Sequence, residues 1–300
     1  MWFRNLQIFR LTTAWDFSTE KLEAALQRGI FQGCGATDRI AKGWVSPRGE
    51  TGESLVFSAG KQQLLALSVE QKLLPTSVVR QYAKDKLAII EEDQGYKVGR
   101  KQAREIMEGV EIELLPRAFS KRGVTYIWID PVNRWLLVDA SSSARADEVI
   151  EHLKLCLEEL PLTLVKTQIS PATAMTQWLA AGEAPGNLTI DRDCELQASA
   201  EERAAVRYVR HSLDSEEVRS HIAGGKTATR LALTWNDKVS FVLTEQLQVK
   251  RLAFLDLLKE ETERQAENAD ELFAADFTLM SGELGQMLEQ LIEALGGEGE

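Results

Sequence analysis

The chain has 300 residues and little cysteine: Cys34, Cys156 and Cys194 are its only three. An odd, widely spaced set does not form a disulfide framework and suits a reducing cytoplasm. No apolar run approaches the ~20 residues of a membrane-spanning helix. The opening MWFRNLQIFR lacks the pattern of a signal peptide. Catalytic signatures are missing too: there is no G-x-S-x-G, no H-E-x-x-H and no G-x-G-x-x-G. His152 and Cys156 stand four apart, a spacing that would put both on one helical face. With no second Cys/His pair, a buried cysteine beside a partly exposed histidine is preferred to a metal pair. His211 and His221 have no cysteine partner. The acidic pairs Glu216-Glu217 and Glu260-Glu261 suit solvated helix faces better than acid/base chemistry. The expectation is a protein without catalytic residues, metal or cofactor.

An apolar fraction of 44% and a charged fraction of 27% are those of an ordinary globular chain. The net charge of −11 argues against a nucleic-acid partner until its distribution is read. Residues 1–125 carry 19 Lys/Arg against 15 Asp/Glu, whereas residues 256–300 carry 2 against 13. The acidity is therefore concentrated in the C-terminal region, and the average says little about any one surface.

Hydrophobic patterning predicts an α+β fold, with antiparallel sheets and packed helices. A strand is expected over Trp2–Leu11, then a helix capped by Ser18 and ending at Gly29. GCGATDRIAKGW reads as loop or a short turn. SLVFSA and QLLALSV read as strands joined at Gly60-Lys61. TSVVRQYAKDKLAIIEED and RKQAREIMEGVEIELL read as a helical hairpin broken at GYKVG. VTYIWID and RWLLVDA form a second hairpin of strands, followed by the helix SARADEVIEHLKLCLEEL up to Pro161. The helix TAMTQWLAA, the loop GEAPGN and the strands LTIDRDCELQ and AAVRYVRHSL follow. SEEV opens a short helix in the manner of a capping box. Strands ATRLALTW, KVSFVLTE and VKRLAF precede two closing helices, LLKEETERQAEN and SGELGQMLEQLIEAL. This order suggests a central α+β unit of residues 1–75 and 117–165, a helical projection 76–116 inserted in it, and a second α+β unit 166–300 with the acidic region. Strand–turn–strand–helix recurs near 54–90, 124–160 and 229–268, as a weak repeat or by chance.

HIAGGKTATR invites comparison with the phosphate loop G-x-x-x-x-G-K-[ST]. The first glycine of that pattern would fall at Ser220. The neighbours are also in the wrong order: a helix precedes and a strand follows, so no helix N-terminus would face a phosphate. A helix C-cap at Gly224 or Gly225 is the better reading. Lys226 and Arg230 then present charge from a strand.

The basic residues are more informative. Lys72, Arg80, Lys84, Lys97, Arg100, Lys101 and Arg104 belong to the hairpin region, where residues 72–104 hold 8 Lys/Arg against 4 acids. Arg117, Lys121 and Arg122 follow it, and Arg207 and Arg210 precede the SEEV helix. Cations on separate elements, without interleaved aromatics, suit contact with phosphates rather than stacking on bases. A merely solvated set of charges is the competing explanation. Phe119 sits among these charges, near Leu114 and Leu115, either as a core anchor or as an interface contact.

At LLPRAFSKRGVTYIWIDPVNRWLLVDA the chain resembles the recombination-associated protein RdgC family. MWFRNLQIFRL, GWVSP, LLPRAFS, WID, GGKTATRLALTW, KRLAF and DFTLMSGELGQMLEQLIEALGG carry the likeness in order along the whole length. The resemblance implies a non-enzymatic, nucleoid-associated DNA-binding protein of the cytoplasm. It implies a ring-shaped homodimer with a basic central hole, binding double- and single-stranded DNA with little sequence preference and restraining RecA-driven strand exchange. On that basis the fourteen cations above are candidate DNA contacts, and Leu115 and Phe119 are candidate dimer contacts. The acidic C-terminal region would lie on the outer rim. The alternative is a regulator that binds RecA directly through that region, with DNA affinity incidental.

Overall fold

A computed structural model describes residues 1–198, 204–256, 258, 260 and 266–299. The architecture is α+β, with two antiparallel sheets. The first sheet contains β1 (Gln7–Leu11), β2 (Ile40–Val45), β3 (Val56–Ala59), β4 (Gln62–Lys72), β5 (Ser120–Asp130), β6 (Trp135–Val138) and β7 (Leu162–Leu164). Its order is β2-β4-β5-β6-β1-β7, and β3 pairs with the first residues of β4 on the edge that β2 then takes over. The second sheet contains β8 (Leu188–Ala198), β9 (Ala205–Tyr208), β10 (Lys226–Trp235), β11 (Val239–Thr244) and β12 (Val249–Phe254), in the order β12-β11-β10-β8-β9.

The helices are α1 (Thr19–Leu26), α2 (Thr76–Gln94), α3 (Arg100–Leu114), α4 (Ser143–Cys156), α5 (Pro171–Ala181), α6 (Glu216–Ala223) and α7 (Ala269–Ala294). Local chemistry sets several starts. The hydroxyls of Ser18, Ser142, Ser170 and Ser215 accept from the amides of Lys21, Arg145, Thr173 and Val218, which satisfies one unpaired N–H at each N-terminus.

Central strands buried on both faces lose the period-2 alternation of a half-exposed strand. β6 is buried throughout, and so is most of β4. One face of the first sheet packs Leu65, Ile127 and Leu136 against α1 and α4. Its other face contributes Ile8, Leu64, Trp128 and Leu137 to a larger core shared with the second sheet, α5 and α7. The N-terminal segment stitches the sheets together. Leu6 N–H donates to Val249 O at 2.7 Å, and Val249 N–H donates back to Leu6 O at 3.1 Å. The strand expected over Trp2–Leu11 is thus shortened: only Gln7–Leu11 is strand in the first sheet, while Leu6 makes an isolated bridge to Val249 and Arg4 O accepts from Leu252 N–H.

Four further expectations are corrected. IAKGW is strand β2 rather than loop, because β4 offers a paired edge and Gly43 allows residues 30–31 to lie directly on it. β5 begins at Ser120, four residues early, since the ladder to β4 continues past the core. The SARADEVIEHLKLCLEEL helix stops at Cys156, and Leu157 turns extended and is buried. The closing helix is longer than expected. α7 spans 26 residues and its Phe277, Met280, Leu284, Met287, Leu288 and Leu291 are fully buried. It is a core helix, so Ala269–Ala294 of the acidic region is not a detachable tail. Most of LLKEETERQAEN lies outside the described residues.

The α2–α3 hairpin projects from the far end of the β4–β5 ladder. Its internal core is small, with Val79, Ala83 and Val110 buried and Leu74, Ile106 and Leu114 packed on them. Gly95 (φ +75°) ends α2 in the left-handed region, and its N–H donates to Glu91 O. The carboxylate of Glu91 also accepts from Val98 N–H, which ties the tip.

Candidate nucleic-acid interface

The fourteen predicted cations separate into three groups. At the hairpin, Arg80, Lys84 and Arg104 rim a groove between α2 and α3 of about 440 Å³, lined by Ala83, Leu87, Ala103 and Met107. Lys97, Arg100 and Lys101 are exposed at the hairpin tip. The second group stands at the hairpin's base, where Lys72 pairs with Ser120, Gln71 with Lys121 and Glu70 with Arg122 across the β4–β5 ladder, with Arg117 close by in sequence. The third, Arg207, Arg210, Lys226 and Arg230, belongs to the second sheet and its loops.

Which cations are already neutralised differs sharply among them. Arg104 pairs with Glu108 one turn later. Arg207 is held by Glu195 through Nε and a terminal nitrogen, and Arg230 Nε lies 3.8 Å from the same carboxylate. Burial pushes the Glu195 carboxyl up, but hydrogen bonds from Arg207 and Thr229 and the two positive charges outweigh it and hold the group below the usual range. It is therefore a charged competitor for both arginines at neutral pH. Lys226 Nζ stands 3.3 Å from His221 Nδ1. Lys97, Arg100, Lys101 and Arg122 have no carboxylate within ion-pair distance among the described residues.

The tip has a further property. α3 starts at Arg100 with Gly99 as an N-cap that makes no side-chain bond, and its first turn contains no acid. Amide N–H groups and the positive end of the helix dipole point outward there, and two cations are added to them. A helix selected for its own stability would carry Asp or Glu at those positions. The arrangement opposes folding and favours an anion.

The open face of the second sheet gathers two cations that sequence reading passed over. Lys250 and Arg251 line a concavity of about 180 Å³ with Arg207, Arg230, Asp193 and Glu195. Strict alternation would put adjacent residues on opposite faces. The register shift between Ser240 and Val242, with Arg251 at φ +52°, brings both to this side. Arg251 is partly offset by Asp193 at 3.6 Å. Cys194 in the same strand has its thiol pushed up to about 11 by burial, so it stays protonated.

GGKT occupies a helix-to-strand turn. α6 precedes it, β10 begins at Lys226, and Gly225 takes φ +87°. No group of three His, Cys, Asp or Glu side chains placed to hold a metal occurs among the described residues. His152 and Cys156 are instead a packing pair. Trp44 Nε1 donates to Cys156 Sγ at 3.2 Å, and the His152 ring stands against Trp44 with centroids 5.6 Å apart. Leu115 is 3% exposed and faces into the chain, whereas Phe119 is 85% exposed. Of the two proposed dimer contacts, only Phe119 has a side chain available to a partner.

Comparison with known proteins agrees with this reading of an ordered, full-length likeness. A family model described as "Putative exonuclease, RdgC" matches residues 1–298. The chain belongs to the RdgC family. A relative from Dechloromonas aromatica is 56% identical over 99% of this chain and 98% of its own length. Relatives from a Janthinobacterium strain and from Herminiimonas arsenicoxydans are 54% and 53% identical, each over 99% of both chains. All three are named recombination-associated protein RdgC. In this member of the family, no helix of the described residues is long and apolar enough to cross a membrane.

Proposed function

We propose that this RdgC-family chain binds DNA through its phosphates, without regard to base sequence, as a ring-shaped homodimer in the nucleoid. By occupying the duplex it restrains RecA-mediated recombination. The observation that carries the reading is the α3 tip, where Lys97, Arg100 and Lys101 add positive charge to a helix N-terminus that their own fold would prefer acidic. Backbone N–H groups at a helix start together with Lys and Arg make a phosphate contact that carries no sequence information. The recombination-associated names of the relatives favour DNA over other polyanions.

The chemistry assigned here is electrostatic. Each lysine or arginine that meets a phosphate releases condensed counterions, so affinity falls steeply as salt rises. No bond-breaking step is assigned to any residue. The exonuclease in the family description is addressed by incubating the protein with end-labelled DNA and Mg²⁺ or Mn²⁺; release of nucleotides would refute a purely binding role. Phe119, backed by the half-exposed Leu73 whose N–H donates to Phe119 O at 2.6 Å, is the apolar contact through which two copies close. Phe119→Ser should leave the fold intact and weaken dimerisation in sedimentation.

The deciding experiment compares a linear duplex with a closed circle of the same sequence across a salt series. Retention on the circle at salt that strips the linear form indicates enclosure. Equal loss from both would refute the ring, and no binding at low salt would refute the DNA reading itself.

A further inference from the structure

A further concavity lies beside the cations at the hairpin's base, with Arg122 among its lining residues. It is a groove of about 890 Å³ over the open half of the first sheet, in the size range of small-molecule sites. Val124, 45% exposed, and Tyr126 form its floor, the segment Ile30–Gly33 one wall, and the segment around Gly49–Glu53 the other. Burial, helped by the charge of Asp139, keeps the Tyr126 phenol above its usual range and therefore neutral.

Both walls are fixed in advance. Phe31 N–H donates to Trp44 O at 3.0 Å, and Ile30 bridges Trp44 in parallel register. A Cβ on Gly43 would come within 2.4 Å of Phe31 Cα, so only glycine lets the wall sit there. On the opposite side a Cβ on Gly52 would lie 2.0 Å from Ser46 Oγ. One mouth is cationic. The Arg122 guanidinium lies over the Phe31 ring at 4.4 Å while its Nε donates to Ser68 Oγ at 2.8 Å, and Lys72 stands on the same strand face two residues beyond Glu70. Glu70, which accepts from Cys34 N–H, stays ionised beside Arg122 and Lys72 and offsets one of their two positive charges, so the mouth is cationic by a single charge. The other mouth carries Glu50 and Glu53.

We propose that this groove receives one or two unpaired nucleotides of a single DNA strand. The bases lie on the Val124–Tyr126 floor against the Arg122–Phe31 stack, and the phosphates lie at the Arg122–Lys72 mouth. This rests on the reading that the chain binds DNA and adds to it a site for bases. Charge complementarity argues for the polarity. Phosphate is attracted at one end only, whereas Glu50 and Glu53 repel further backbone at the other. A stacked arginine–aromatic pair over an exposed apolar floor suits a base face of any identity. A paired base keeps its faces inside the duplex and cannot enter.

The test uses the full chain and three labelled DNAs: a thymidine oligonucleotide, an abasic oligonucleotide of equal length, and a duplex. The wild type should hold the thymidine strand roughly tenfold tighter than the abasic one, the scale of base stacking on an aromatic side chain. Phe31→Ala and Val124→Gln, neither of which changes charge, should erase that preference and leave abasic and duplex affinities unaltered. Val124→Gln is the safeguard should Phe31→Ala loosen the wall. Equal wild-type affinity for thymidine and abasic strands would overturn the proposal. So would a preference that survives both substitutions, or a uniform loss on all three DNAs. Failure of the wild type to bind any of the three would refute the DNA reading itself.

Discussion

The α3 tip allows a test in which folding and function move in opposite directions. Replacing Arg100 and Lys101 by alanine removes two positive charges from the first turn of a helix whose N-cap, Gly99, makes no side-chain bond. A cation at a helix N-terminus is unfavourable by ~0.3–1 kcal/mol at low ionic strength, and alanine has the best helix propensity. Both side chains are exposed, so screening reduces the gain, and the pair together should stabilise the hairpin by about 1 kcal/mol. Binding should weaken. Each phosphate contact contributes about −0.9 to the slope of log affinity against log salt, so losing two should flatten the slope by ~1.8. If the two lines converge near 1 M salt, the variant binds duplex about 60-fold more weakly at 0.1 M. Hydrogen exchange on α3 amides reads the first effect, and fluorescence anisotropy across a salt series reads the second. A slope unchanged within error, with α3 more protected, would mean that the tip cations are ordinary solvated charges, and the reasoning would fail.

Three other outcomes are expected. Glu195→Gln releases Arg207 and Arg230 from a shared carboxylate, so duplex affinity should rise severalfold and the salt slope should steepen by up to ~2 if both arginines meet phosphates; weaker binding in the same assay would mean that Glu195 positions the arginines instead. Gly43→Ala drives a Cβ into the Phe31 backbone and should destabilise by ~1–3 kcal/mol or more, whereas Gly123→Ala, with nothing within 4 Å, should be neutral or slightly stabilising, as read by urea midpoints. Burial lowers the His152 pKa in the folded chain, with Nε2 buried and unpartnered, so the unfolded chain binds more protons; stability should fall as pH drops from about 6.5 towards the lowered folded value, and His152→Phe should flatten that limb of a stability–pH curve.

Much of the fold follows from local chemistry. Ser18 and Ser215 start helices because their hydroxyls satisfy amides three residues on, and this shows in the residue order alone. The GYKVG break, the Gly60-Lys61 turn and the helix-then-strand order around GGKT are local in the same sense. They identified the hairpin, the first strand pair and the absence of a phosphate loop. The candidate cations were legible as residue types. Their state was not, because Glu195 reaches Arg207 and Arg230 from other strands and the bulge at Ser240–Val242 turns Lys250 and Arg251 to one side.

What the sequence by itself determined is most of the helices and strands, the charge asymmetry and the family, since these depend on neighbours within a few residues or on order along the chain. Tertiary structure alone decided that IAKGW is a strand, because the partner that makes it one is β4, more than twenty residues away. It decided that Ala269–Ala294 of the acidic C-terminal region is a core helix, because burial depends on what α7 meets rather than on its own composition. It also placed Phe31 under Arg122, 91 residues later in the chain, and so built the groove from segments whose separate sequences contain no sign of one another.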